Sequence, residues 1–127
     1  MPLSEAPPPP RKAALLRVPF VRRCEMAFDN GVSGSGFLVN INLRGVYIAY
    51  DDMPTLGQSV KVRFSVPDRD TELALEGAVV WLNPRQQHPV HSLPPGFGLQ
   101  FRSLTPEDAA IIERVISEYQ DRQHPMP

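Results

Sequence analysis

Two asparagines, Asn40 and Asn42, stand two residues apart and Gly45 follows three further on, while arginines fall at Arg17, Arg22 and Arg23. Such a set can recognise a ligand by hydrogen bonds and charge; it is not a set that breaks bonds. A guanidinium presents five donors in a planar fork suited to paired acceptors, and an amide side chain both donates and accepts. A glycine in this position allows a tight turn or a close backbone approach. Each residue also has a purely structural use. Arginines on strand surfaces discourage edge-to-edge association, and asparagine readily satisfies backbone groups in a turn.

Signals for catalysis or metal binding are weak. No serine, histidine and acid fall in the setting of a nucleophile elbow, and no glycine-rich loop ends in Lys-Ser or Lys-Thr. Ser33-Gly34-Ser35-Gly36 reads as a flexible connection. His88 and His91 lie three apart without a cysteine or acid beside them, which makes a poor zinc site. Trp81 continues the alternation of Leu75 and Val79, so it reads as a core or helix-contact residue in preference to a platform for a base. Cys24 is the only cysteine; it rules out an intrachain disulfide and reads as a small buried hydrophobe in a reducing compartment. The expectation is a protein that is not an enzyme and needs no cofactor.

The elements that must carry these residues are strands. Val60, Val62, Phe64 and Val66 alternate with Lys61, Arg63 and Ser65, the period of an extended chain with one face buried. Leu73, Leu75, Val79 and Trp81 repeat the pattern, with Gly77 marking a bend or bulge. Phe37, Val39 and Ile41 form another inward set, which leaves Asn40 and Asn42 together on the outward face. Val46, Ile48 and Tyr50, then Phe97, Leu99 and Phe101, give two more strands. Val18, Phe20, Cys24, Met26 and Phe28 share a face that Arg22 interrupts. Turn residues separate these runs at Asp29-Asn30-Gly31, Asp51-Asp52-Met53-Pro54, Pro67-Asp68 and the long stretch from Asn83 to Gly96.

The period then changes. Thr105-Pro106-Glu107-Asp108 supplies a cap, a proline at the first helical position and acids at the positive helix end, and Ile112, Val115, Ile116 and Tyr119 share one helical face. Six short strands and a helix over residues 106–119 suit a small antiparallel barrel over residues 17–103, because a parallel sheet needs a helix between strands.

The chain has 127 residues, the size of one domain, and a formal net charge of −1, so no overall field favours DNA or RNA. No apolar stretch has the length of a signal peptide or a bilayer span, which gives the expectation of a cytoplasmic protein without membrane insertion. Residues 1–14, containing Pro7-Pro8-Pro9-Pro10, read as a flexible polyproline arm, either a plain linker or a ligand for a proline-binding partner. Residues 120–127 read as a flexible tail, and residues 15–119 as the folded domain.

Asn40-Ile41-Asn42-Leu43-Arg44-Gly45 resembles the motif of the PilZ family, in which Asp or Asn is followed two residues later by Ser and three further by Gly; two of the three positions match. Arg17-Val18-Pro19-Phe20 looks like the arginine opening of the family's first strand, and Gly77-Ala78-Val79-Val80-Trp81 and Gly96-Phe97-Gly98-Leu99-Gln100-Phe101 resemble its later strands. The resemblance runs over residues 15–119. It implies a mainly β fold, a six-stranded antiparallel barrel with a C-terminal helix, and a bacterial signalling module that binds cyclic di-GMP and relays it to a protein partner. On that reading the ligand residues are Arg17, Asn40, Asn42 and Gly45, with Arg11, Lys12, Arg22 and Arg23 as further cations. Arginine matches the O6 and N7 edge of guanine and also meets phosphate. The family has two arginines four apart, whereas Ala13 stands four before Arg17, and Asn42 replaces the usual serine. The alternative is therefore a degenerate adaptor that does not bind the nucleotide and works through protein contacts. Either form is expected as a monomer or weak homodimer.

Overall fold

The structure, a computed structural model, describes residues 17–66, 71–85 and 93–123. The expected arm with Arg11, Lys12 and Ala13, the Pro67-Asp68 turn, His88, His91 and residues 124–127 lie outside these.

Six strands appear: β1 (Val18–Phe28), β2 (Ser33–Ile41), β3 (Gly45–Ala49), β4 (Ser59–Val66), β5 (Thr71–Asn83) and β6 (Gly96–Phe101). They close into a barrel in the order β1-β2-β3-β6-β5-β4, and every neighbouring pair is antiparallel. The helix α1 (Pro106–Gln123) follows, as the change of period predicts. Thr105 Oγ1 accepts the Asp108 N–H at 3.1 Å and caps it. The helix runs four residues past the expected end at Tyr119, because neither glycine nor proline occurs among Gln120, Asp121, Arg122 and Gln123.

Alternation fills the interior. Val60, Val62, Phe64 and Val66 of β4 are buried together with Val18, Phe20, Cys24, Met26 and Phe28 of β1, and Ile112, Val115 and Ile116 of α1 join the same core. Phe64 meets Phe20 edge to face with ring centroids 5.8 Å apart. Tyr50 is half-buried and packs between Phe28 and Phe97.

In two strands the alternation changes phase. In β2 the register slips between Leu38 and Asn40, which inserts one residue against β3. Such a bulge turns the residues on either side to opposite faces. Leu38 is therefore buried and Phe37 is 52% exposed, contrary to the inward set of Phe37, Val39 and Ile41; only Ile41 of the three lies in the core. In β5 the slip falls between Val79 and Trp81, not at Gly77, and Trp81 emerges 43% exposed on the outer surface.

Ser33-Gly34-Ser35-Gly36 is strand, not connection. Gly34 lies under the Tyr50 ring and Gly36 against the Ala49 carbonyl, where a side chain would collide. Gly77 keeps its register and lets the Gln100 carbonyl approach closely. The seam between β1 and β4 is short, from Glu25/Arg63 to Phe28/Val60. Beyond it Arg22, at the interrupted position of the β1 pattern, bridges the strands by donating from Nε to the Ser65 carbonyl at 3.1 Å and from its fork to Ser65 Oγ.

Phe64 is 3% exposed, so Phe64→Ala should cost about 3 to 5 kcal/mol in denaturant unfolding; a loss under about 1 kcal/mol would contradict the packing. Cys24 is buried in β1 and burial pushes its thiol up to about 11. The unfolded thiol ionises near its ordinary value of about 8.5. Between these values the unfolded state holds fewer protons, so the neutral thiol's contribution falls as pH rises from about 9 to 11. Unfolding curves should show wild-type losing more stability than Cys24→Ala across that window, with parallel curves as the contrary outcome.

Candidate functional site

The turn between β2 and β3 fixes the site. Asn42 Oδ1 accepts the N–H of Arg44 at 2.8 Å and of Gly45 at 2.9 Å, while the Asn42 N–H donates to the Gly45 carbonyl at 2.9 Å. Asn42 is buried, so the expectation that it shares an outward strand face with Asn40 fails: β2 ends at Ile41, and the amide folds back to close the turn. Gly45 sits so close to β6 that a Cβ would overlap the Leu99 carbonyl, which makes it a point of backbone approach.

Asn40 keeps the orientation expected of it. Half-buried beside the β2 bulge, it accepts at Oδ1 a hydrogen bond of 3.2 Å from the Arg17 guanidinium, which approaches from just before β1. Pairing of Pro19 with Asn40 brings the two together. Arg17 is partly covered, and this desolvation lowers its pKa, although a guanidinium so shifted remains charged.

The other arginines are placed elsewhere. Arg22 binds Ser65, away from Asn40. Arg23 lies 3.5 Å from Glu25, whose carboxylate also accepts a hydrogen bond of 2.8 Å from Ser35 Oγ. Of the described candidates, then, only Arg17 and Asn40 form a pair with exposed polar atoms, and Asn42 and Gly45 shape the backbone beneath them.

Two further residues belong to this surface. Arg44 is exposed at the tip of the turn and has no ion pair among the described residues. Its position inside the Asn40-to-Gly45 motif was the available signal. Trp81 lies in the same cross-barrel row as Asn40, since Asn40 pairs with Tyr47, Tyr47 with Gly98 and Gly98 with Trp81. Three strand spacings separate the ends of this row, roughly 14 Å. The indole rests over Gly98 and beside the Tyr47 ring, with centroids 5.4 Å apart. Tyr47 is anchored in turn: its hydroxyl donates to the Pro94 carbonyl at 2.5 Å and accepts from Asn83 Nδ2 at 3.0 Å. Burial pushes that hydroxyl's pKa up, opposed by the Asn83 bond, so it stays protonated and able to donate. The bulge in β5 is what turns Trp81 outward, and alternation alone could not reveal it.

The result is a row with a cation and an amide at one end and a partly exposed aromatic plane at the other, the Tyr47 and Gly98 positions between them being buried. It can hold a planar, anionic ligand by charge, hydrogen bonding and stacking. Two grooves among the described residues lie around Tyr50 and include neither Arg17, Asn40 nor Trp81.

Comparison with known proteins gives a consistent family. The profile of the family described as PilZ domain matches residues 10–118. The fold is similar to the crystal structure of the PilZ domain of CeSA from a cellulose-synthesizing bacterium, with a TM-score of 0.57 and 12% identity over 83% of this chain and 98% of that one. It is also similar to the Bacillus subtilis inhibitor of motility MotI/DgrA, with a TM-score of 0.64 and 14% identity over 85% of this chain and 51% of that one. A third similar structure is the PilZ domain of Escherichia coli YcgR with c-di-GMP, at a TM-score of 0.60 and 10% identity over 81% of this chain and 84% of that one. No curated protein matches the sequence.

If Asn42 acts through the turn, Asn42→Ala leaves two backbone donors unpaired and should lower stability by about 1 to 3 kcal/mol. Asn42→Asp, which keeps the acceptor, should lose clearly less in the same urea titration. Equal losses for the two variants would show that the acceptor is not what matters.

Proposed function

This chain belongs to the PilZ domain family, and we propose that it is a non-enzymatic bacterial signalling module that binds cyclic di-GMP on its outer barrel face and relays it to a protein partner in the cytoplasm. The observation that carries the reading is the Arg17–Asn40 hydrogen bond beside the Asn42 turn. Cyclic di-GMP offers two guanines and two phosphates. Arg17 suits the O6 and N7 edge of one guanine or a phosphate, Asn40 can donate from its remaining amide hydrogens, and Arg44 adds charge at the turn. Trp81 supplies an exposed ring against which a base can stack, a contact worth about 1 to 3 kcal/mol in single-stranded nucleic-acid sites. Arg11 and Lys12 are the sequence's nearest replacements for the arginine missing at Ala13. Recruiting them costs ordering entropy and lowers affinity relative to a preformed pair.

No helix among the described residues is long and apolar enough to cross a membrane. For the adaptor alternative, Ala13 is the observation in favour. The helix offers such a partner a polar surface, since Glu113, Arg114, Ser117 and Glu118 are exposed while Ile112, Val115 and Ile116 face the core.

Calorimetric titration with cyclic di-GMP tests the proposal. Wild-type protein should bind, Arg17→Ala and Asn40→Ala should each weaken binding about tenfold or more, and Trp81→Ala should do likewise while the fold is retained. Arg11→Ala should weaken binding if the preceding segment supplies the second cation. Absence of heat and of any thermal shift at high micromolar ligand would replace this reading with the adaptor.

A further inference from the structure

The first half of β1 is held to the barrel in an unusual way. The strand runs from Val18 to Phe28, yet it pairs with β4 only from Glu25 opposite Arg63 to Phe28 opposite Val60. From Val18 to Cys24 it therefore has a ladder on one side alone, to β2. That ladder is itself interrupted. Its register slips between Pro19 and Arg22, so beyond the bulge only Val18 opposite Ile41 and Pro19 opposite Asn40 stay paired, and a proline has no N–H to donate. At the bulge Val21 turns outward and is 71% exposed. Backbone pairing alone holds this end of the strand loosely.

Side chains supply what the ladder does not. Inside the barrel Phe20 packs edge to face on Phe64, with ring centroids 5.8 Å apart. From outside, Arg22 reaches the next residue of β4, donating from Nε to the Ser65 carbonyl at 3.1 Å and from its fork to Ser65 Oγ. Phe64 and Ser65 are neighbours on β4 and project to opposite faces, so the two contacts clasp that strand from both sides. The guanidinium makes to the β4 backbone a bond of the kind a continued ladder would have made.

Arg17 lies at the far end of the clasped stretch. It stands one residue before Val18 and bonds Asn40, the ladder partner of Pro19. Only two ladder positions separate it from the bulge, so a shift of the bulged segment against β4 is carried to the Arg17 side chain.

From these observations we infer that Arg22 is a positioning residue: its clasp on Ser65 holds the bulged start of β1 in place and thereby sets Arg17 against Asn40. The sequence grouped Arg22 with the cations that would meet a ligand, whereas this role puts it one step behind them. The effect on Arg17 stands without any ligand; the consequence for cyclic di-GMP affinity rests on the reading proposed above.

NMR of the full-length protein without nucleotide tests the first part. In Arg22→Ala the heteronuclear NOE of the Arg17 Nε–Hε group should fall by about half as the side chain gains mobility, and the Asn40 side-chain amide signals should shift. Amide exchange at Val46 and Leu99, in β3 and β6, should stay as in wild type, which a general loss of stability would not allow. Ser65→Ala removes the hydroxyl and keeps the carbonyl, so it should change the same signals less, and Arg22→Lys should recover part of the effect. Calorimetry with cyclic di-GMP tests the second part. Arg22→Ala should weaken binding about threefold or more in the wild-type background and add nothing in the Arg17→Ala background, because it acts through Arg17. Unchanged Arg17 mobility in Arg22→Ala would overturn the inference, as would losses that simply add, which would make Arg22 a ligand contact in its own right. Loosening of Arg17 in a protein whose wild type binds no nucleotide would support the clasp and overturn the nucleotide reading instead.

Discussion

A single side-chain oxygen sets the geometry of the outer face. Asn42 Oδ1 accepts two consecutive backbone N–H groups and ends β2 at Ile41, and that turn delivers Gly45 into contact with the Leu99 carbonyl. Without a Cβ at Gly45, β3 can lie flush on β6, which puts Tyr47 opposite Gly98 and so beside Trp81. On the other side of the turn Asn40 is left at the last outward position before the chain reverses, within reach of Arg17. The asparagine therefore contributes twice, once by satisfying donors that would otherwise be buried unpaired and once by fixing the register that assembles the row from Asn40 to Trp81.

How much of this was legible follows from what alternation can encode. Where the strands keep strict register, as in β4 paired to β5, the buried set Val60, Val62, Phe64 and Val66 is written directly in the sequence. Where a strand carries an extra residue the rule inverts, and nothing in Phe37-Leu38-Val39 marks the inversion, because all three are apolar and either phase looks acceptable. Val79-Val80-Trp81 has the same ambiguity. Both phase changes bring a large aromatic to the surface, so the residues hardest to place from sequence are two large aromatics that the outer face exposes. The Ser33-to-Gly36 run fails for a different reason. Its glycines look flexible as local sequence but are required by the Tyr50 ring and the Ala49 carbonyl, which come from β3 and its end.

Within the site, legibility divides by the kind of evidence. The motif pointed to Arg17 and Asn40, and these are in contact. It also grouped Asn42 with them by parity, which assumes that the strand continues, whereas the side chain itself terminates it. Arg22 and Arg23 are near Arg17 in sequence but diverge in space, one spanning the open end of the β1–β4 seam and the other sitting in a surface cluster with Glu25. Proximity along a strand is a poor guide to a shared site, since neighbours project to opposite faces.

The Arg17–Asn40 pair is held without being used up, and that property makes it suitable for recognition. Among the described residues Arg17 donates once, to Asn40, which leaves four of its five N–H groups, and Asn40 spends one acceptor site there while keeping both amide hydrogens. A free arginine would have to give up rotamer freedom on meeting a ligand, a cost of about 0.5 to 1.5 kcal/mol for an immobilised side chain; the Asn40 bond removes part of that cost beforehand. Partial desolvation acts in the same direction, because a guanidinium already stripped of some water loses less when an anion displaces the rest. A salt bridge to a carboxylate would have oriented Arg17 more tightly, but it would also have neutralised the charge that the proposed ligand would meet. A neutral amide partner orients the fork and leaves its charge available, which is what the ligand role proposed for Arg17 requires.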